Sequence, residues 1–229
     1  MTIEEYFGSW SKVVDLKEAD KVMRKLSGMK NVCPQIKDIF KAFRLCPLDS
    51  LRVVIIGQDC YPDLYKGKPR ATGIAFANAP DVPEKDYSPS LSVLKESVID
   101  YTVPHESVKF DQSLEKWEEQ GVLLLNTALS CEVGKIGSHL LLWRPFIKSL
   151  LTNLSAYHTG IVYVLMGNAA QSLEDCIYRP YNHVIKIRHP SWYARQKEPM
   201  PHHLWSLINE FLIGHNGDGI EWYNNLLTD

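Results

Sequence analysis

Asp59, Asn126, Asn168 and His189 each stand at the end of a short apolar run, in the stretches VVIIGQD, GVLLLN, GIVYVLMGN and NHVIKIRH. Together they offer a carboxylate, two amides and an imidazole, groups from which a hydrolytic site can be built when one end of a sheet gathers them. Taken singly, each has a plainer explanation. Asp59 suits turn chemistry, asparagine commonly ends strands, and a histidine before proline can bond to nearby backbone. Phe76 and Tyr61 read, by the same standard, as core or rim aromatics.

The elements that must position these residues follow from periodicity. Val53 to Ile56 is an unbroken, β-branched apolar run, which reads as a parallel strand buried on both faces, with Gly57 making a tight turn before Gln58 to Pro62. GVLLLNTALS and GIVYVLMGN read as two more buried strands, and NHVIKIRHPS as a fourth. Helices are expected at SLSVLKESVIDY with Ser90 as its cap, at DQSLEKWEEQ, at WRPFIKSLLTNLSAY and at AAQSLEDCIY. Residues 1–50 read as helical and cover one side of the sheet, with PQIKDIFKAFRL opening on Pro34 as a first helical turn tolerates. Two further helices, at 201–213 and 220–227, close the chain. Such alternation of buried strands and helices predicts an α/β fold, a central four-stranded, mainly parallel sheet flanked by helices, with ligands at the carboxyl ends of the strands. Asp63 to Pro89 is a long connection rich in Gly, Pro and Lys, with Phe76 on a short extended segment, GIAFAN; connections of this length inside a domain are more often functional than idle.

Bulk properties narrow the class. A chain of 229 residues with no compositional seam reads as a single domain, 1–229, able to bury a sizeable core. A net charge of −2 argues against bulk attraction to nucleic acid but leaves room for a local basic groove. Lys66, Lys68, Arg70, Lys186, Arg188, Arg195 and Lys197 lie in or beside the strand-end loops, where a solvated charged face is the usual explanation. No apolar run approaches a membrane span, and the acidic start MTIEEYFGSW is unlike a signal peptide, so a soluble, cytoplasmic protein without membrane contact is expected. The five cysteines, Cys33, Cys46, Cys60, Cys131 and Cys176, are scattered and form no C-x-x-C pair. They read as free thiols, and neither structural zinc nor an iron–sulfur cluster is expected.

Five stretches taken in order, GQDCYP, GIAFAN, GVLLLN, LMGN and HPS, resemble the motifs of the family 1 uracil-DNA glycosylases, which read GQDPYH, G-[LI]-x-F-S, LLLN, a Gly-Ser loop and HPSPLS. The similarity runs from about Ile36 to Trp222 and takes in Ser138, His139 and Trp143. It implies a monofunctional glycosylase that hydrolyses the bond between uracil and deoxyribose in DNA, initiating base excision repair, with no metal or organic cofactor. In such an enzyme the base is flipped into a pocket. By resemblance, Phe76 stacks on the uracil, Asn126 reads its edge, Tyr61 stands against C5 and Gln58 joins the base pocket. Asp59 positions water and offsets positive charge on the sugar, and neutral His189 donates to uracil O2. Ser88, Pro89, Ser90, Gly167, Asn168, Ser191 and Tyr193 fall where the family grips DNA, Tyr193 at the place of the leucine that wedges into the duplex. The implied partners are uracil-containing DNA, single- or double-stranded, and protein inhibitors that mimic DNA; the implied state is a monomer.

The departures are also legible. Cys60 replaces the family's proline and Pro62 its histidine, Asn168 replaces a serine, and HPS is followed by Trp192, Tyr193 and Ala194. They leave the base pocket intact and touch mainly the DNA grip. The changes at Cys60 and Pro62, beside Asp59, motivate the alternative reading, a DNA-binding protein that kept the fold but little or no catalysis.

Overall fold

The computed structural model describes residues 3–99 and 107–225. From the amino end, α1 (Ile3–Phe7) and α2 (Leu16–Ser27) precede β1 (Val32–Cys33), and α3 (Lys41–Leu45) leads into β2 (Val53–Asp59). A hairpin of β3 (Leu64–Tyr65) and β4 (Lys68–Pro69) opens the long connection. It is followed by α4 (Pro89–Val98), β5 (Val108–Lys109), α5 (Glu115–Glu119), β6 (Val122–Ala128) and β7 (Cys131–Glu132). α6 (Leu140–Tyr157), β8 (Val162–Met166), α7 (Asn168–Gln171), β9 (His183–Ile187), α8 (Pro190–Gln196), α9 (His203–Asn216) and β10 (Asn224–Asn225) complete the described chain.

The frame is a four-stranded sheet in the order β6–β2–β8–β9, parallel throughout. Successive side chains point to opposite faces, so the unbroken apolar runs feed two cores at once. Val54, Ile56, Leu123, Leu125, Tyr163 and Leu165 pack with Trp10, Phe43, Trp143 and Phe146 from the amino-terminal segments and α6. Val53, Ile55, Leu124, Val164 and Met166 pack on the other face with Leu91 and Leu94 of α4 and Ile208 and Leu212 of α9. β2, β6 and β8 are buried along nearly their whole length, whereas β9, at the edge, is half-buried. Because all four strands run the same way, their carboxyl ends meet at one edge.

Several local expectations are corrected. Gly57 lies inside β2 rather than in a turn after it. Residues 34–45 break into a 3₁₀ turn at Ile36–Asp38 and the short α3, after a cis bond between Cys33 and Pro34. The cap of α4 is Ser88, whose hydroxyl accepts the Leu91 N–H at 3.4 Å, because the residue before a proline is driven into the extended geometry a cap requires. That helix ends at Val98, and Tyr101 lies outside the described residues. AAQSLEDCIY divides into α7 and a 3₁₀ turn at Glu174–Cys176. Residues 220–225 are not helical, since their backbone groups are taken elsewhere. Ile220 N–H donates to Asn209 and Glu221 N–H to Gln120, each at 2.8 Å, while β10 pairs with β5. Residues 226 and 227 of that expected helix lie outside the described residues.

Candidate active site

The register of the sheet builds the pocket. Gly57 is the Cα partner of Asn126, and a Cβ on Gly57 would lie 2.5 Å from Asn126 Oδ1 and 2.7 Å from the Phe76 ring. Only a glycine admits both groups. Phe76 is not on an extended segment; it sits at φ +66, an uncommon conformation for a bulky residue and a mark of functional strain. The bonds from Ala75 N–H to the Leu124 carbonyl at 3.3 Å and from Tyr61 Oη–H to the Phe76 carbonyl at 3.0 Å help hold that segment. The Phe76 ring lies 5.7 Å from the His189 ring, tilted by 39°. Asp59, Cys60, Tyr61, Phe76, Ser90, Asn126 and His189 help enclose a cavity of about 20 Å³, room for a single water, so a planar base enters only if these walls part. Gln58 lies at the edge, its carbonyl bonded by Thr127 Oγ1 at 2.6 Å.

Burial sets the electrostatics. The Asp59 carboxyl is raised above its ordinary range by desolvation, opposed by the N–H of Gly137 and the side chain of Gln58, which both hydrogen-bond to it. His189 is pushed down to about 4, first by burial and then by the Arg195 charge. Its Nδ1 accepts the Ser191 N–H at 3.2 Å, so the single proton of the neutral ring sits on Nε2. Ser191 Oγ, 2.9 Å from Nδ1, in turn accepts from Arg195 Nη1 at 3.1 Å. Tyr61 is raised by burial and stays a phenol.

Gly137 is a site residue that motif reading passed over; the neighbouring Ser138, His139 and Trp143 were its signal. Ser138 Oγ accepts Glu132 N–H at 2.7 Å, and Ser130 Oγ joins His139 Nδ1 at 3.0 Å and Trp143 Nε1 at 2.8 Å, which fixes the loop that presents Gly137 to Asp59.

Outside the pocket opens a cleft of about 610 Å³. Its lining includes Ser90, Gly167, Asn168, Arg188, Ser191, Trp192 and Arg195. Gly167 has φ +85, and a Cβ there would lie 2.8 Å from the His189 Cβ. Pro89 is exposed at the start of α4. Two expected DNA contacts are placed otherwise. Ser88 is buried, with its hydroxyl committed to the α4 cap and to Asn78 Oδ1 at 3.1 Å. Tyr193 is 8% exposed within the core under α8, because the helical turn begun at Pro190 carries it inward while its neighbour Trp192 lines the cleft, with the Arg188 guanidinium 3.9 Å above the Trp192 ring. Of the other basic residues, Arg70 pairs with Asp63 at 2.5 Å and Lys186 with Glu174 at 2.8 Å.

All five cysteines are free thiols, as expected, but three of them are not scattered in space. Cys33, Cys60 and Cys131 converge beside the site, all buried, with their sulfurs within 4.8 Å of one another.

A parallel sheet flanked by helices, whose strand ends gather a desolvated carboxyl and a neutral imidazole around one small cavity, defines an α/β protein with the groups of a hydrolytic site. Residues 43–212 match the model of the Uracil DNA glycosylase superfamily, and the chain belongs to that family. It is 39% identical over 194 residues to uracil-DNA glycosylase 1 of Listeria innocua, covering 84% of this chain and 83% of that protein. It is 36% identical over 199 residues to the uracil-DNA glycosylase of Yersinia pestis, covering 86% and 83%. Among solved structures, mimivirus uracil-DNA glycosylase superimposes with a TM-score of 0.77 at 22% identity over 96% of this chain and 86% of its own, and a variant of the mimivirus protein has been solved in complex with UGI.

Proposed function

We propose that this protein excises uracil from DNA by hydrolysing the N-glycosidic bond, as the first step of base repair. Within that reading Asn126 presents donor and acceptor to the uracil edge, a pairing that the cytosine amine reverses. Phe76 stacks on the ring and Tyr61 blocks the space beside C5. His189 donates Nε2–H to O2 as negative charge gathers there, worth about 3 kcal/mol if it acts like other oxyanion donors. Asp59 holds water and offsets the positive charge that develops on the sugar. The observation that carries the reading is the tautomer of His189: a buried, neutral imidazole whose Nδ1 already accepts Ser191 N–H has only a donor left to offer.

The cleft with Arg188, Arg195 and Trp192 is the proposed DNA path, and Trp192 rather than Tyr193 the proposed wedge. A protein inhibitor that mimics DNA would occupy the same cleft. The test is incubation with labelled single- and double-stranded oligonucleotides bearing one uracil, one thymine or neither, followed by alkaline cleavage of abasic sites. Cleavage confined to the uracil position supports the proposal; binding to uracil DNA without cleavage would favour the non-catalytic alternative.

A further inference from the structure

Three of the five cysteines converge from segments far apart in sequence. Cys33 ends β1, Cys60 follows Asp59, and Cys131 opens β7, where it is the Cα partner of Cys33. Their sulfurs all lie within 4.8 Å of one another, and the Cys60 and Cys131 sulfurs are 2.9 Å apart. Ala71, Tyr61 and Val133 pack against them, and the sulfurs lie close to one another. Cys46 and Cys176 take no part.

We propose that Cys33, Cys60 and Cys131 form a three-thiolate site for a thiophilic divalent cation, Zn²⁺ by its chemistry, which ties the loop after Asp59 to β1 and β7. Tetrahedral zinc with Zn–S bonds of about 2.3 Å places sulfurs about 3.8 Å apart. All three sulfurs lie within 4.8 Å of one another, the Cys60–Cys131 pair at 2.9 Å, so small side-chain shifts bring them to that spacing. The donor set holds no carboxylate or imidazole, and thiolates of this kind select zinc over magnesium or calcium. Cys60 also lines the large cleft, which brings this cluster next to the candidate active site. Binding displaces the three thiol protons to water and replaces S–H bonds, such as Cys33 to the Tyr61 carbonyl at 3.1 Å and Cys60 to the Cys33 carbonyl at 3.0 Å, with bonds to the ion. The ion would thus brace the segment that carries Asp59 and Tyr61. A redox pair fits less well, since a Cys60–Cys131 disulfide leaves a third thiol unused. The proposal does not depend on uracil excision.

The experiment is a cobalt titration of the full, reduced, metal-free chain. Thiolate-to-cobalt charge-transfer and tetrahedral d–d bands should saturate at about one equivalent and vanish on adding Zn²⁺, and Zn²⁺ should raise Tm. Cys33→Ser and Cys131→Ser should each weaken Zn²⁺ binding by more than the roughly 100-fold that loss of an outer hydrogen-bond partner costs, while Cys176→Ser binds as the parent does. Since the first two variants also alter packing, a second measurement uses the unaltered chain: Zn²⁺ should protect three thiols from a disulfide reagent under native conditions. Absence of cobalt bands and of thiol protection in the parent chain would overturn the proposal, as would bands that survive Cys33→Ser, or a Cys60–Cys131 disulfide in the freshly purified protein.

Discussion

His189 shows how burial converts a residue type into a role. Its ordinary value of about 6.5 would leave it partly charged near neutrality, but burial and Arg195 hold it down at about 4. Between pH 6.5 and 4 the unfolded chain takes up a proton that the folded chain refuses, so stability falls as pH falls through that window; above it His189 is neutral in both states and adds no pH dependence. Urea midpoints at pH 7 and pH 4.5 should therefore separate more in the parent chain than in His189→Asn. Single-turnover excision should show no inflection near pH 6.5, and one there would mean that the ring titrates in place. Asp59→Asn and His189→Ala should each slow excision by ~10²-fold or more with little change in binding, because both groups act on developing charge. Asn126→Asp should relax discrimination against cytosine, read as abasic sites on cytosine oligonucleotides, since a carboxylate accepts from the cytosine amine.

At the scale of elements, β2 and α8 make the sharpest predictions. Gly57→Ala adds one methyl group inside β2, 2.5 Å from the Asn126 amide oxygen and 2.7 Å from Phe76. Misplacing both should cost about 10²-fold in kcat/KM, comparable to losing a direct contact. In α8, adjacent residues should behave differently. Trp192→Ala should leave Tm nearly unchanged and lose far more activity on duplex than on single-stranded uracil, because the duplex alone requires a base to be unstacked. Tyr193→Ala should instead lose about 3 kcal/mol of stability, as truncation of a buried aromatic does, and depress both substrates alike. A duplex-selective defect in Tyr193→Ala with normal stability would return the wedge to that position.

For the whole molecule, charge placement outweighs charge total. The net charge is −2, yet Arg188 and Arg195 line the cleft and neither pairs with a carboxylate among the described residues. Two phosphate contacts predict a slope of log K against log salt near −2 on duplex DNA, and Arg195→Ala should reduce it by about one. Affinity independent of salt would place the DNA elsewhere.

The parallel sheet was legible because β2, β6 and β8 are buried on both faces and so had to carry continuous apolar runs, while the edge strand β9 keeps a weaker version of the pattern. Asp59, Asn126 and His189 were legible because a parallel sheet delivers all its carboxyl ends to one edge, and the ordered motifs added the family. What the sequence alone determined, then, is whatever depends on local pattern and on the order of elements. Tertiary structure decided the rest, because contacts between distant segments leave no mark in local spacing. It turned Tyr193 inward and Trp192 outward, spent the Ser88 hydroxyl on a helix cap, and brought Gly137 to Asp59 across 78 positions of sequence. The thiols are the clearest case. Cys33, Cys60 and Cys131 carry no common motif, and only strand pairing between β1 and β7 beneath the loop after Asp59 places their sulfurs together.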